Sequence, residues 1–210
     1  QVTPVDVIAY VRLNLDDNGK PAFDTTVVSV DIHGVSTPFT GEAPLDFGFG
    51  RKGELMVFTN GASVFSYNLD QGYLYGIGIV PESEYSADDS ISFLDVDPVS
   101  NVVTVCWNRK FVNKENVASL SSEISFYRLG EQGTFEILKR VYPDELPEGS
   151  ALANGSNVTI VSDGGDSEFA LFATNDGSLC SVDLRGDGVD ATVKRMYHFP
   201  ELARTSESDT

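Results

Sequence analysis

Short hydrophobic stretches alternate with polar turns that contain glycine, and the same order of residue types recurs along the chain. The clearest copies are SVFSYNLDQG (63–72), SEISFYRLGEQG (122–133) and GSLCSVDLRGDG (177–188). A fainter copy is marked by Tyr10, Leu15 and Gly19. Copies spaced about 50 to 60 residues apart indicate repeated supersecondary units rather than one irregular core.

Within the best copy, apolar residues occur in four successive runs, and each run predicts a strand. The runs are PLDFGF (44–49), ELMVFTN (54–60), SVFSYNL (63–69) and YLYGIGIV (73–80). Strands joined by such tight turns form an antiparallel meander. We predict units at about 5–38, 39–82, 88–143 and 152–200, and a polar tail at 201–210. The first unit is half-formed, because no strand precedes Val5.

Such four-stranded meanders must stack on one another to bury both of their faces. Radial stacking into a β-propeller is the common arrangement for units of about 40 to 50 residues. No segment has the apolar period of a helix over a helical length. The prediction is therefore an all-β chain that forms one incomplete β-propeller-like domain, and a β-sandwich is the alternative.

The third unit differs from the others by an insertion. Asn60, Asn108 and Asn175 each end the second strand of a unit, but an insertion of twelve residues, 109–120, follows Asn108 before the third strand. We predict a loop there, which carries Arg109, Lys110 and Lys114.

An aromatic side chain beside cations at the mouth of a loop suits contact with a ligand or a protein. The candidate binding residues are therefore Trp107, Asn108, Arg109, Lys110 and Lys114. The alternative is that Trp107 packs under the loop.

Composition narrows the range of partners. The chain has 32 acidic and 14 basic residues and a net charge of −18, which argues against nucleic-acid binding and against anionic membrane surfaces. The charge favours solubility, and it would also suit a basic protein partner or a cation. No run of 18 apolar residues exists to insert into a membrane. Cys106 and Cys180 lie in strand-like runs and are expected to be buried free thiols, with one bridge between units as the alternative.

Residue types that carry out catalysis are scarce. His33 and His198 are the only histidines, and each lies at the edge of a predicted strand with no second histidine at ligand spacing. No Gly-x-Ser-x-Gly motif is present, and GFGRKG precedes a strand rather than the helix that a phosphate loop requires. We predict no catalytic residue and no cofactor.

Two loops rich in carboxylates, LDDNG (15–19) and SDGGDSE (162–168), offer oxygen ligands but lack the twelve-residue calcium pattern. We interpret both as turns, and so predict no metal site. The tripeptide Arg185-Gly186-Asp187 is interpreted in the same way, because it falls where every unit has a polar turn.

The sequence says little about the cellular setting. Asn154 and Asn157 begin two overlapping glycosylation motifs, which slightly favour a secreted protein. The chain has neither an initiator Met nor a leader, so we expect a processed protein or an excised part of a longer one.

Over about residues 40–190 the chain resembles the lactonase-like seven-bladed propellers of the 6-phosphogluconolactonase type. The resemblance is carried by the positions of Pro44, Gly53, Asn60, Ser66, Tyr67 and Gly72 and by the later phrases CWNRK and SEISFYRLGEQGTFEIL. It implies a propeller fold, but 210 residues provide only three to four blades. The His, Arg and Glu residues that related enzymes direct into the central channel have no match here.

Two functions remain open. The first is a non-catalytic binding or scaffold module that presents acidic loops to a protein partner or to the remaining blades. The second, implied by the resemblance alone, is a lactone hydrolase or a related sugar-acid enzyme, which would bind a small molecule. The missing catalytic cluster favours the first.

Overall fold

A computed structural model describes residues 7–15, 18, 20–31, 46–50, 53–59, 64–69, 73–75, 90–112, 118–142, 145–147, 158–162 and 168–202. These residues form fourteen β-strands and one short 3₁₀ helix, Pro200–Leu202, so the predicted all-β class is confirmed. No helix in these ranges has the length and hydrophobicity needed to cross a membrane. The chain divides into two compact units, Gln1–Gly41 and Glu42–Thr210.

The first unit contains one two-stranded antiparallel sheet, and the second contains three four-stranded sheets. Sheet I consists of β1 (Val7–Leu15) and β2 (Pro21–Asp31). Sheet II consists of β3 (Asp46–Gly50), β4 (Leu55–Thr59), β5 (Val64–Asn68) and β6 (Tyr73–Tyr75). Sheet III consists of β7 (Ser90–Asp97), β8 (Val102–Val112), β9 (Ala118–Leu129) and β10 (Phe135–Val141). Sheet IV consists of β11 (Thr159–Ser162), β12 (Glu168–Ala173), β13 (Ser178–Asp183) and β14 (Val193–His198).

In sheets II, III and IV the spatial order of the strands is the order of the chain, and every neighbouring pair is antiparallel. The predicted four-stranded meander is therefore present three times. Each sheet is built from one of the repeats found in the sequence.

One backbone hydrogen bond recurs in all three meanders and aligns them residue by residue. It joins the N–H of the last leucine of each repeat to a carbonyl at the start of the second strand: Leu69 to Glu54 (3.0 Å), Leu129 to Asn101 (2.9 Å) and Leu184 to Glu168 (2.9 Å). This bond makes Leu55, Val102 and Phe169 equivalent.

The match of Asn60 with Asn108 is therefore wrong by one residue, and Asn60 itself lies outside the described residues. The turn before Val102 has the same length as the turn before Leu55, so the two strands begin in register. The error matters because one residue moves every side chain of a strand to the opposite face.

The second unit is a stack in which sheet III lies between sheets II and IV. In sheet III, we call the side that packs on sheet IV the forward face and the opposite side the rear face. The equivalent sides of sheets II and IV have the same names. The rear face of sheet III packs on the forward face of sheet II through Val103, Val105, Trp107 and Tyr127 against Leu55, Val57 and Val64. The forward face of sheet III packs on the rear face of sheet IV through Val102, Cys106, Ile124 and Phe126 against Ala170, Phe172, Cys180 and Val182.

This stacking explains the nearly continuous apolar run VVTVCW in β8. A strand covered on one face alternates apolar and polar residues, whereas a strand covered on both faces does not. Val102, Val103 and Val105 are all fully buried although successive side chains point to opposite faces. Each such side chain contributes about 1.5–3 kcal/mol to the free energy of unfolding.

Polar side chains join the stacked sheets at their margins. The Arg128 guanidinium binds the Glu168 carboxylate through two hydrogen bonds, one of 3.1 Å to Oε1 and one to Oε2, and thereby links sheet III to sheet IV. Lys139 Nζ donates to the carbonyls of Gly186 (3.3 Å) and Gly188 (2.6 Å). The Arg-Gly-Asp tripeptide is thus part of a turn that is held against β10.

Sheets II and III approach so closely that a glycine is required at their contact. A Cβ atom placed on Gly48 would lie 2.7 Å from Val96 Cγ2 and 2.9 Å from Val96 Cβ. Valine is stiff at χ1, so its side chain cannot move aside at low cost.

We therefore predict that Gly48→Ala lowers the free energy of unfolding by about 1–3 kcal/mol, as overpacking of a core does. Urea denaturation measures this change. The double variant Gly48→Ala with Val96→Ala should cost less than the sum of the two single variants, because the clash is removed. Strict additivity of the two costs would contradict this account of the contact.

Candidate functional site

Trp107, the first of the predicted binding residues, lies in the core between sheets II and III. It sits near the middle of β8, its side chain is 2% exposed, and it pairs with Ile91 of β7 and Glu123 of β9. A side chain at this depth has little surface to offer a partner. The alternative, that Trp107 packs under the loop, also differs from the structure, because the indole lies between two sheets.

Asn108, Arg109 and Lys110 are strand residues of β8 rather than loop residues, and Lys114 lies outside the described residues. β8 and β9 remain paired as far as Val112 opposite Ala118. The predicted loop over 109–120 is therefore wrong for its described residues, 109–112 and 118–120, because these continue the hairpin. Comparison of the repeats could not predict this hairpin, since no other unit carries the insertion.

The extension of this hairpin projects beyond the rest of sheet III. β7 pairs with β8 only as far as Asn108, and β10 pairs with β9 only from Ile124. Among the described residues, 109–112 and 118–121 therefore pair only with each other, and we call these two segments the ribbon. At about 3.3 Å per residue the four pairs extend roughly 13 Å.

A buried ion pair lies beside Trp107. The Glu123 side chain is fully buried, and Arg140 Nε lies 3.1 Å from its Oε1 atom, while the Arg140 side chain is half-buried. Ser125 Oγ donates a long hydrogen bond of 3.4 Å to the same carboxylate oxygen. This pair is not apparent from the sequence, because the two residues lie on different strands of a hairpin and only the strand register brings them together.

Two aromatic residues complete this cluster. Arg140 donates to the hydroxyl of Tyr142 (3.3 Å) and lies 6.0 Å from the centre of its ring. Burial raises the pKa of Tyr127, against the opposing effects of Ser125 and Arg140. Tyr127 therefore stays protonated at neutral pH. The described side chains here form a paired carboxylate and cation, which suits fixing a core better than transferring protons.

A second polar cluster closes the β12–β13 turn of sheet IV. Asp176 accepts hydrogen bonds from Thr174 Oγ1 (2.5 Å), Ser178 N (3.1 Å) and Ser178 Oγ (2.9 Å). Arg195 NH2 lies 3.2 Å from Asp176 Oδ2, and His198 Nδ1 lies 3.1 Å from Ser178 Oγ.

Serine, histidine and aspartate together suggest a nucleophile with its base, but the geometry is different. In a catalytic triad the carboxylate orients the histidine, which takes the proton of the serine. Here the Ser178 hydroxyl donates to Asp176, and the carboxylate lies 4.0 Å from His198. Ser178 is also buried. The cluster is therefore a turn closure.

The remaining candidates are metal ligands, the two cysteines and the two glycosylation motifs. No group of three or more His, Cys, Asp or Glu residues that could hold a metal ion occurs in the described part of the chain. Glu168 is paired with Arg128, and Cys106 and Cys180 are buried free thiols. Burial raises the pKa of Cys180, so its thiol stays protonated. Asn154 and Asn157 lie outside the described residues.

The Glu123–Arg140 pair generates a stability prediction. Arg140→Met leaves a buried carboxylate without its cation, and we expect a loss of about 3–5 kcal/mol in the free energy of unfolding at neutral pH. Adding Glu123→Leu should recover most of this loss, whereas Arg140→Lys keeps the charge and should cost less than Arg140→Met. Guanidinium denaturation of the four proteins measures these values. A double variant as unstable as Arg140→Met would contradict the pairing.

The Asp176 cluster generates a pH prediction. Desolvation raises the pKa of Asp176, but the hydrogen bonds from Thr174 and Ser178 and the charge of Arg195 together lower it by more. The pKa therefore lies below its ordinary value. Asp176 therefore stabilises the fold above the unfolded-state pKa of about 3.9, and this contribution is lost as pH falls through the folded-state pKa.

We expect the difference in free energy of unfolding between wild type and Asp176→Asn to be constant above about pH 5 and to shrink as the pH drops below 4. Urea denaturation from pH 6 to pH 3 measures it. Ser178→Ala removes one donor to the carboxylate and should weaken this pH dependence. A difference that stays constant down to pH 3 would contradict the lowered pKa.

This chain was compared with protein-family models, curated proteins and solved structures. No protein-family model, no curated protein and no solved structure matches it. The resemblance to lactonase-like propellers therefore stays a prediction.

Proposed function

We propose that this chain is a non-catalytic binding or scaffold module whose sheets II, III and IV are consecutive blades of a β-propeller. Three meanders in chain order, related by one recurring hydrogen bond and stacked face to face, support the proposal. Propellers are built from such four-stranded sheets. In the described residues, the two polar clusters that contain acids are engaged in ion pairs and turn closure, which favours a structural role over catalysis.

The ribbon of sheet III is the observation that carries a binding function. In sheets II and IV the corresponding connections span only residues 60–63 and 174–177. Among the described residues, no third strand pairs with the ribbon. Projecting elements on a rigid scaffold are where binding residues are commonly found.

The ribbon also indicates how a partner would be held. Each of its strands has an outer edge where an extended segment can add as a further strand through backbone hydrogen bonds. Residues 109–121 include Arg109, Lys110 and Lys114 in a chain of net charge −18. An extended segment with acidic side chains fits these cations, while the acidic remainder of the module repels acidic surfaces elsewhere.

The test uses peptides displayed on phage, selected on the full chain. We expect the selected peptides to be rich in β-branched and acidic residues. Binding should be lost when residues 109–121 are replaced by the turn Asn-Gly, which can join Asn108 to Ser122 in register. Arg109→Glu with Lys110→Glu should weaken the selected peptides by roughly tenfold or more, as removal of interface charges does.

A matched control has the same change of charge elsewhere. Arg185→Glu with Lys194→Glu alters two exposed cations outside the ribbon and should leave the peptide affinity within about twofold. Equal binding of peptides by the shortened protein would refute the role of the ribbon. Hydrolysis of a sugar lactone by the purified chain would instead favour the lactone hydrolase.

A further inference from the structure

The forward face of sheet IV differs from the forward faces of the two sheets before it. Leu55 of sheet II and Val102 of sheet III are equivalent residues, and both are 0% exposed because the next sheet covers them. Phe169 holds the same position in sheet IV and is 37% exposed. The recurring apolar position is therefore present in sheet IV, but its cover is incomplete.

The strand register places further large apolar side chains on the face of Phe169, with the exposed Lys194 beside them opposite Ser181. Val161 of β11 lies opposite Phe169 and is 45% exposed. Residues that are directly opposite share a face of the sheet. Tyr197 of β14 lies opposite Leu179 on this same face and is 60% exposed, and its ring stacks with that of Phe199 at 6.1 Å. Large aromatic groups grouped in this way are typical of a contact surface.

We propose that the forward face of sheet IV binds the apolar face of a β-sheet in a different protein chain, which carries an arginine or lysine opposite Asp183. The contact continues the stack of sheets II, III and IV by one more layer. It rests on the observed stacking alone and needs neither the ribbon nor closure of a propeller.

The required cation follows from the contact between sheets III and IV. Arg128 immediately precedes Leu129 and reaches forward to Glu168 of the next sheet. Asp183 precedes Leu184 in the same way, so it holds the position of Arg128 with the opposite charge. Its Oδ1 atom accepts a hydrogen bond from Arg185 N (2.9 Å), which fixes the carboxylate at the margin of the face. A cation in the arriving sheet would complete the pair.

A second polar contact has a counterpart on this face. Ser66 on the forward face of sheet II donates to the carbonyl of Gly133 in a turn of sheet III (2.5 Å). Ser181 is the equivalent residue of sheet IV, because each serine stands three positions before the aligned leucine. We expect Ser181 to donate to a turn carbonyl of the arriving sheet.

A second copy of this chain is a poorer occupant than a different protein. Two copies of net charge −18 repel each other, whereas a basic partner is attracted. A second copy would have to contact this face with the rear face of one of its own sheets, because sheets III and IV each contact the preceding sheet in this way. On the rear face of sheet II, Met56, Phe58 and Phe65 are already buried. A different chain therefore fits the face better.

The experiment is photo-crosslinking of the full chain in the cells that produce it. The photoreactive residue p-benzoylphenylalanine replaces Phe169 or, in a second protein, Tyr197. Val99 is the matched control position, because it is an exposed apolar residue in the β7–β8 turn and lies off this face. We expect adducts from positions 169 and 197, but not from 99, with a peptide from a β-strand of another protein that carries a lysine or arginine.

Charge reversal then tests the pairing. Asp183→Lys should reduce the yield of adduct at position 169 at least threefold, and changing the partner's cation to glutamate should restore it. Circular dichroism of Asp183→Lys checks that the protein remains folded. Adducts with a second copy of this chain, equal yields at 99 and 169, no adduct at all, or a yield unchanged by Asp183→Lys would each overturn the proposal.

Discussion

The burial of sheet III between two neighbours is the constraint on which the second unit depends. A four-stranded meander is only one layer thick, and its free energy of folding comes mainly from covering its apolar faces. Val103 and Val105 are buried against sheet II, while Val102 and Cys106 are buried against sheet IV. Because both faces of one sheet are used, removal of either neighbour would expose a whole layer of the core.

Charged side chains also join the stacked sheets. Arg128 with Glu168 and Lys139 with the turn carbonyls of Gly186 and Gly188 join sheets III and IV at their margins, where the apolar core ends. Buried ions are costly unless they are paired, and each of these groups has its partner on the neighbouring sheet. Asp183 holds the position of Arg128 in sheet IV with the opposite charge, and for this reason we propose a cation opposite it in the partner.

Repetition made the fold accessible from the sequence and concealed the candidate site. Copies around Leu69, Leu129 and Leu184 predict the meanders because every repeat needs the same strand and turn. The ribbon occurs once, so no second copy in the sequence identifies its residues as strands. Likewise, the pairing of Glu123 with Arg140 depends on strand register across a hairpin, which local pattern does not specify.

The sequence by itself determined the all-β class, the three complete meanders and the turns that join them, because apolar alternation and turn residues act over a few neighbours. Only the tertiary structure decided which side of each strand faces which sheet. The side-chain period of a strand is two, so the match of Asn60 with Asn108, which is wrong by one residue, assigns the side chains of β8 to the wrong faces. The tertiary structure also buries Trp107, extends the β8–β9 hairpin into the ribbon, and leaves Phe169 of sheet IV exposed.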